Sequence, residues 1–433
     1  MTLMDRLAEE RLIKKITWRI LPIVIALYLC AIIDRSNIGF AKLQMIGALN
    51  LTETGFALGA SFFFISYALV EVPSSIAAHR YGARIWFARI VFTWGLLTVA
   101  LAWSTSGTMF YILRFLLGAA EGGLYPAAIY YLTLWFPQRH RVHAVGMLTL
   151  GSSFGNMFAA LLGGPLLDLD GLLGFQGWQW VFIATGTPAV LMTGVVLMFL
   201  PNNPKEAKFL SVEDKEWLEE ELRAEQTEPQ KKGNPFSAIW DPKVLVLSGI
   251  MALINISLYG MIYWVPTVVK SFGATATQNG MLSSIPWVLA AILLSTLPRR
   301  LKTERSVCRA VACVTTVGVI CFILAMVLPQ NWMRFIVMVI GIPCISVLYP
   351  CFWFFPARFF FGVRAAASMG AISMIAQFGA LAGQNLMPWV AQLAGAPIFA
   401  LAVPATCLAI LGVIALSRGQ TVNRRDAGLG QTV

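Results

Sequence analysis

Long apolar segments recur along the whole chain, and they restrict its fold more than any other feature. Each is about as long as the roughly 20 residues that a helix needs to cross a bilayer. Inside lipid every backbone N–H and C=O must be satisfied within the protein, and the chain lacks the alternating ten-residue segments of a membrane barrel. The sequence therefore predicts an all-α integral membrane protein with twelve spans, at 17–41, 54–77, 84–104, 107–136, 142–167, 179–200, 241–269, 277–298, 306–328, 331–357, 365–391 and 396–416.

The low content of charged residues supports a membrane location. Only 12% of the 433 residues are charged, whereas a soluble domain carries about 25%. The first apolar segment is as long as the later ones and lacks a small-residue cleavage site, so we interpret it as a retained span and not as a secretory signal.

Basic residues concentrate in alternate loops and account for the net charge of +11. One set of loops carries Arg80, Arg84, Arg139, Arg141, Lys205, Lys208, Lys231, Lys232, Arg299, Arg300, Lys302, Arg305 and Arg358. The other set holds little beyond Lys42, Glu53, Asp168, Asp170, Lys270 and Arg334. This asymmetry predicts a multi-pass membrane protein with both termini in the cytoplasm. It also explains the positive charge without a nucleic-acid partner.

The longest polar stretch, 201–240, divides the chain into an N-terminal six-helix half (1–200) and a C-terminal six-helix half (241–433). Within it, Ser211 and Asp214 resemble a capping box, and Trp217, Leu218 and Leu222 form one apolar stripe. We expect a short helix lying on the membrane surface. Two six-helix halves with a site between them are typical of transporters.

Several functional classes find no support in the sequence. The seven cysteines are odd in number and show no CxxC spacing, and the three histidines all lie in basic loops. We therefore expect no metal site and no cofactor. Because no nucleophile–base pair or phosphate-binding loop is apparent, we also expect that the protein is not an enzyme.

Five ionisable residues stand out inside the predicted spans: Asp34, Arg35, Glu71, Arg114 and Glu121. Such a group costs about 2.5–3.5 kcal/mol at mid-bilayer on insertion scales, so each is a functional candidate. For Glu71, close to a basic loop, a structural ion pair is favoured. For the other four we favour a function, with a purely structural pair between Asp34 and Arg114 as the alternative.

Span 4 collects several of these candidates on one helical face. The face comprises Arg114, Gly118, Glu121, Gly122 and Tyr125. At about 1.5 Å rise per residue, Arg114 and Glu121 would lie about 10 Å apart and could bracket a small ligand. The glycines would let a neighbouring helix approach closely, and Pro126 would kink the helix.

The chemistry of these residue types suggests an organic anion as substrate. A fixed arginine in a low-dielectric cavity presents a two-pronged donor that suits a carboxylate. A buried carboxylate can accept a proton because burial disfavours its charged form. Together they predict proton-coupled uptake of an organic anion, with Asp34 and Glu121 as the proton carriers.

Two motifs also resemble a known family. Span 1 reads Tyr28-Leu-Cys-Ala-Ile-Ile-Asp34-Arg35-Ser-Asn37-Ile38-Gly39, and span 4 reads Arg114-Phe-Leu-Leu-Gly118-x-x-Glu121-x-Gly123-x-x-Pro126. Together with the loop that begins Leu200-Pro-Asn-Asn-Pro204, they are similar to the major facilitator superfamily, and within it to the anion:cation symporter family. The resemblance covers most of the chain.

This resemblance implies a twelve-helix fold that works by alternating access. It implies that Arg35 and Arg114 contact the substrate anion and that Asp34 and Glu121 take part in proton coupling. Further candidates for substrate contact, set against ordinary helix packing, are Tyr28, Asn156, Tyr259, Tyr263, Trp264, Gln377 and Asn385.

The sequence thus predicts a monomeric symporter that imports a small carboxylate with protons. Tartrate-like, sugar-derived and aromatic acids are the substrates that the resemblance implies. Two alternatives stay open at this point: a uniporter or antiporter of organic anions, and a membrane sensor that does not transport.

Overall fold

The computed structural model describes residues 3–225, 240–297, 301, 303–356 and 362–426. The predicted basic positions Lys231, Lys232, Arg299, Arg300, Lys302 and Arg358 lie outside them. The helices are α1 (Leu3–Ala48), α2 (Glu53–Tyr81), α3 (Ala83–Leu101), α4 (Gly107–Glu121), α5 (Leu124–Thr133), α6 (Gln138–Leu167), α7 (Gly177–Phe199), α8 (Val212–Glu225), α9 (Pro242–Ser271), α10 (Ala276–Thr296), α11 (Glu304–Val327), α12 (Asn331–Trp353), α13 (Gly362–Ala394) and α14 (Ala402–Asp426).

The helices follow the predicted spans closely. Eleven helical segments of the described residues are long and apolar enough to cross a membrane. The 33-residue helix α13 coincides with the remaining predicted span, 365–391. No strand occurs among the described residues, so the all-α membrane fold is confirmed.

Span 4 departs from its prediction, because it is two helices and not one kinked helix. The break lies at Gly122 and Gly123, and Gly123 has a left-handed backbone with φ of 89°. Pro126 falls in the first turn of α5, where its missing N–H leaves no hydrogen bond unmade. The continuous face that we predicted therefore ends at Glu121, and Tyr125 belongs to a separately oriented helix.

Helix α2 packs directly on the glycines of α4, as predicted. A Cβ atom on Gly118 would collide with the carbonyl oxygen of Phe63, and one on Gly122 would lie 3.1 Å from that of Tyr67. Small residues at these two positions therefore bring α2 and α4 into backbone contact.

Helices α1–α7 form what we call the first half, and α9–α14 the second half. The main contacts between the halves join α1 to α9, α2 to α13 and α6 to α10. We call the helix ends near Arg80, Arg139 and Arg305 the basic end, and the other end the opposite end.

Specific contacts between the halves lie toward the opposite end. Asn385 Nδ2 donates a hydrogen bond to Ser61 Oγ at 2.5 Å. The backbones of Gly164 and Gly280 meet so closely that a Cβ on Gly164 would lie 2.8 Å from Gly280 Cα. These contacts close the space between the halves on that side.

Helix α8 begins with the predicted capping box. Asp214 N donates to Ser211 Oγ at 3.1 Å, and Ser211 N donates to Asp214 Oδ2 at 3.3 Å. Leu218 is fully buried, and Asp214 forms an ion pair with Lys15 at 3.1 Å. The helix is therefore docked on the basic end of the first half.

Candidate substrate and proton site

A cavity of about 60 Å³ lies between the two halves. Of the described residues that line it, Arg35 is the one that carries a charge. The walls otherwise combine aromatic, hydroxyl and amide side chains, among them Tyr28, Tyr125, Ser152, Asn156, Tyr259 and Tyr349.

Arg35 connects three helices at the cavity wall. Its Nε donates to Glu121 Oε1 on α4 at 2.6 Å, which is an ion pair. Its second contact is with Tyr259 on α9, whose hydroxyl lies 3.4 Å from a terminal nitrogen. The guanidinium also stacks over Tyr67 on α2, 4.6 Å from the ring centroid. Arg35 thus links the first half to the second.

Glu121 lies behind Arg35 and is fully buried. It is the last residue of α4, directly before the Gly122–Gly123 break. One carboxylate oxygen accepts from Arg35, while the buried Oε2 has no hydrogen-bond partner. Arg35 therefore lines the cavity, whereas its carboxylate partner does not.

Asp34 belongs to a separate buried polar cluster. Asn37 Nδ2 donates to Asp34 Oδ1 at 3.2 Å and to Thr185 Oγ1 at 2.8 Å. Asp34 is 1% exposed. The aspartate therefore lies inside the first half, away from the cavity wall.

Arg114 also lies inside the first half. It donates to the carbonyl oxygen of Ala60 at 3.3 Å and stacks over Phe63, 4.9 Å from the ring centroid. Among the described ion pairs none joins Arg114 to Asp34, so the structural pair that we considered is not formed. Nor do Arg114 and Glu121 bracket a ligand space, since Glu121 is occupied by Arg35.

The structure brings some of the predicted substrate-binding residues to the cavity and leaves others elsewhere. The cavity is lined by Tyr28, Arg35, Asn156 and Tyr259. It is not lined by Arg114, Tyr263, Trp264, Gln377 or Asn385.

The physical reason for this difference is the position of these side chains along the helices. Tyr263 and Trp264 lie nearer the opposite end, where both rings pack against Lys42 of α1. The amide of Asn385 is engaged by Ser61 at the contact between the halves.

Three hydroxyl residues on the same face of α6 as the predicted Asn156 were missed by the sequence reasoning: Thr149, Ser152 and Ser153. Thr149, Ser152, Ser153 and Asn156 all line the cavity, and they recur at i, i+3, i+4 and i+7. That spacing puts them on one helical face. Hydroxyl residues repeated at helical spacing within an apolar span are therefore the signal that could have identified them. Next to them, Ser36 donates to Asn156 Oδ1 at 2.5 Å.

The sequence model of the Major Facilitator Superfamily matches residues 24–384. The chain belongs to this superfamily. It is 37% identical over 378 residues to a quinolone resistance transporter of Acinetobacter baumannii, covering 87% of each chain. It is 34% identical over 390 residues to a putative tartrate transporter of Agrobacterium vitis, covering 89% of this chain and 86% of that one.

Solved structures of major facilitator proteins share the fold. A bacterial homologue of the human lysosomal transporter Spinster, solved in an inward-facing and unoccupied conformation, superimposes with a TM-score of 0.70. The match covers 94% of this chain and 97% of that one at 16% identity. The protein is therefore a multi-pass membrane transporter of the major facilitator superfamily and not an enzyme.

Proposed function

We propose that this transporter is a symporter that imports a small organic anion together with protons by alternating access. The observation that carries the proposal is the ion pair at the cavity wall. Arg35 is 9% exposed in its side chain, while its carboxylate partner Glu121 is fully buried. A cation is thus presented to the cavity with a proton acceptor directly behind it.

Substrate and proton would be coupled through Arg35. The substrate carboxylate and the ionised Glu121 compete for its guanidinium, and a proton on Glu121 ends that competition. An arriving carboxylate is a ligand for Arg35, but the ionised Glu121 already accepts from it at 2.6 Å. A proton on Glu121 removes that competition and frees the arginine for the substrate. Each ligand therefore raises the affinity for the other, which is the requirement for symport.

Asp34 is the second proton carrier in this proposal. It is 1% exposed, and among the described residues no cation forms an ion pair with it. A buried carboxylate without an ionic partner is far more stable when it holds a proton. Arg114 has no place at the cavity wall, and we propose that its positive charge compensates the two acids at longer range, without a direct ion pair to Asp34.

The names of the relatives support a carboxylate as substrate. One relative is named for tartrate, which is an aliphatic dicarboxylic acid, and the other for resistance to quinolones, drugs that carry a carboxylate on an aromatic ring system. The cavity offers one arginine among hydroxyl and aromatic side chains. We therefore propose tartrate-like, sugar-derived or aromatic acids as the substrate class, and a bacterial inner membrane with cytoplasmic termini as the location.

The test is transport by purified protein in liposomes, with radiolabelled tartrate and benzoate as probes. An inward proton gradient should drive accumulation by the wild type. Glu121→Gln should abolish accumulation while solute exchange across the membrane continues, because a neutral amide no longer holds Arg35 with a negative charge. The matched control is Glu216→Gln, at an exposed position on α8. Accumulation by Glu121→Gln at the wild-type level would remove Glu121 from the coupling mechanism.

Antiport is the second candidate, favoured by the 37% identity to a quinolone resistance transporter. A pH-sensitive dye inside the liposomes separates the two. Symport predicts that the lumen becomes more acidic as the anion enters. Antiport predicts the reverse change, and uniport predicts none.

A further inference from the structure

Lys42 is a buried cation that the proposed transport site does not use. It was predicted as a charge in an opposite-end loop, but α1 continues to Ala48 and encloses it. The residue is only 1% exposed. A buried ammonium is costly unless it is paired, so its surroundings must compensate for the lost water.

The surroundings of Lys42 come from both halves of the molecule. Its Nζ lies 3.8 Å from the ring centroid of Trp264 and 4.7 Å from that of Tyr263, both on α9. Its carboxylate partner is Glu53, at the first turn of α2, 3.0 Å away. The first half therefore supplies the cation and its counter-ion, and the second half supplies the aromatic pair.

This contact lies at the end where the two halves meet. The same region of α1 lies close to α9 at Gly39, where a Cβ would lie 3.0 Å from Ile262 O. Lys270, at the end of α9, donates back to Leu43 O of α1 at 3.0 Å. Separation of α1 from α9 would withdraw the ammonium from both rings and return it to water.

We propose that Lys42 is a charge-dependent latch, a positioning residue that holds the opposite end closed. The ammonium enters the aromatic pair of α9 because Glu53 neutralises it there. The counter-ion itself is 38% exposed and lies on the first half, so it stays beside Lys42 when the halves part. Only the contact between Lys42 and the two rings of α9 is lost on opening, so the latch stabilises the closed state of the opposite end over the open state. The inference assumes the alternating access of the proposed function, but it concerns a different part of the molecule.

The test measures the distance between the ends of α1 and α9. Ala48 and Ser271, which are both exposed, are each replaced by a non-canonical amino acid that carries a nitroxide label. Double electron–electron resonance then measures the distance between the labels, and the native cysteines stay in place. Glu53→Gln leaves a buried ammonium without a counter-ion. It should shift the ratio of long to short distances by about tenfold toward an open opposite end, since removing one partner of a buried pair is strongly unfavourable.

A second substitution makes the test specific. Lys42→Met in the Glu53→Gln protein removes the unpaired ammonium and should recover most of the closed population. The double variant should stay about threefold more open than the wild type, because the cation–π contact with both rings is lost. The matched control is Arg334→Gln, a charge at the same end that donates to Leu328 O within the second half, and it should leave the distances unchanged.

The latch is overturned if Glu53→Gln keeps the wild-type distances, or if the double variant is as open as Glu53→Gln alone. Should Glu53→Gln fail to fold, Trp264→Leu decides the question. Loss of the ring should open the same end by about threefold or more, and unchanged distances would refute the proposal. No substrate is needed for these measurements, so their failure is distinguishable from failure of the symport proposal.

Discussion

At the scale of single residues, two buried arginines in similar surroundings have different positions relative to the cavity. Arg35 lines it and pairs with Glu121. Arg114 lies behind, held by a carbonyl oxygen and an aromatic face. Burial alone therefore does not distinguish the two arginines as candidates for substrate binding, whereas access to the cavity does.

Lysine substitutions should separate the two arginines. Arg35→Lys should weaken tartrate binding about tenfold or more, because an ammonium cannot reproduce the planar two-pronged donor. Arg114→Lys should change the affinity by less than about threefold. Calorimetric titration of the detergent-purified variants measures both, and equal losses would mean that both side chains contact the substrate.

The sequence identifies such residues one at a time but not their pairing. Arg35 and Glu121 are each conspicuous as charges in apolar spans, yet they are 86 residues apart. Their contact depends on where α4 ends. Lys42 was misplaced for a related reason: the apolar run stops at residue 41, whereas the helix continues through seven further residues to Ala48.

At the scale of secondary structure elements, the break between α4 and α5 determines the position of Glu121. Glycines in membrane helices most often permit close packing, and Gly118 does so against α2. Gly123 instead takes a left-handed backbone that ends the helix. The apolar length predicts the span. It does not predict the break, because a glycine in the sequence can either permit close packing or end the helix.

Gly123→Ala should destabilise the protein. The left-handed backbone costs an alanine about 1–2 kcal/mol, and its Cβ would in addition collide with Ser74 Oγ of α2. The expected result is a thermal unfolding midpoint several degrees lower in detergent. Gly146→Ala on α6 is the control, since nothing lies within 4 Å of its added Cβ, and a midpoint lowered equally by both would argue against a special role of Gly123.

At the scale of the whole molecule, the arrangement of the two halves is set by a few small residues toward one end. Gly39, Gly164 and Gly280 allow backbone contact between them. Twelve spans and two halves follow from apolar length and loop charge. The rotation of each helix about its axis does not, because it depends on contacts between segments far apart in the sequence.

Gly164→Ala should obstruct closure of the opposite end. Its Cβ would lie 2.8 Å from Gly280 Cα, so α6 and α10 must move apart. We expect the turnover rate in liposomes to fall about tenfold, while substrate affinity changes by less than about threefold. Gly249→Ala on α9, which has open space around it, is the control. A wild-type turnover rate in Gly164→Ala would show that this contact is not needed for closure.

While the opposite end is closed, the confinement of these glycine contacts to that end makes them a pivot for movement of the basic end. Gly164 lies 26 residues from the start of α6 at Gln138, which is about 39 Å along the helix. A rotation of about 10° about this fulcrum moves the basic end by about 7 Å, at the rise per residue of an α-helix. Backbones in contact at the fulcrum shift by only a fraction of that distance. Sub-ångström changes in packing at one membrane surface are thus amplified into an opening as wide as a small organic acid at the other.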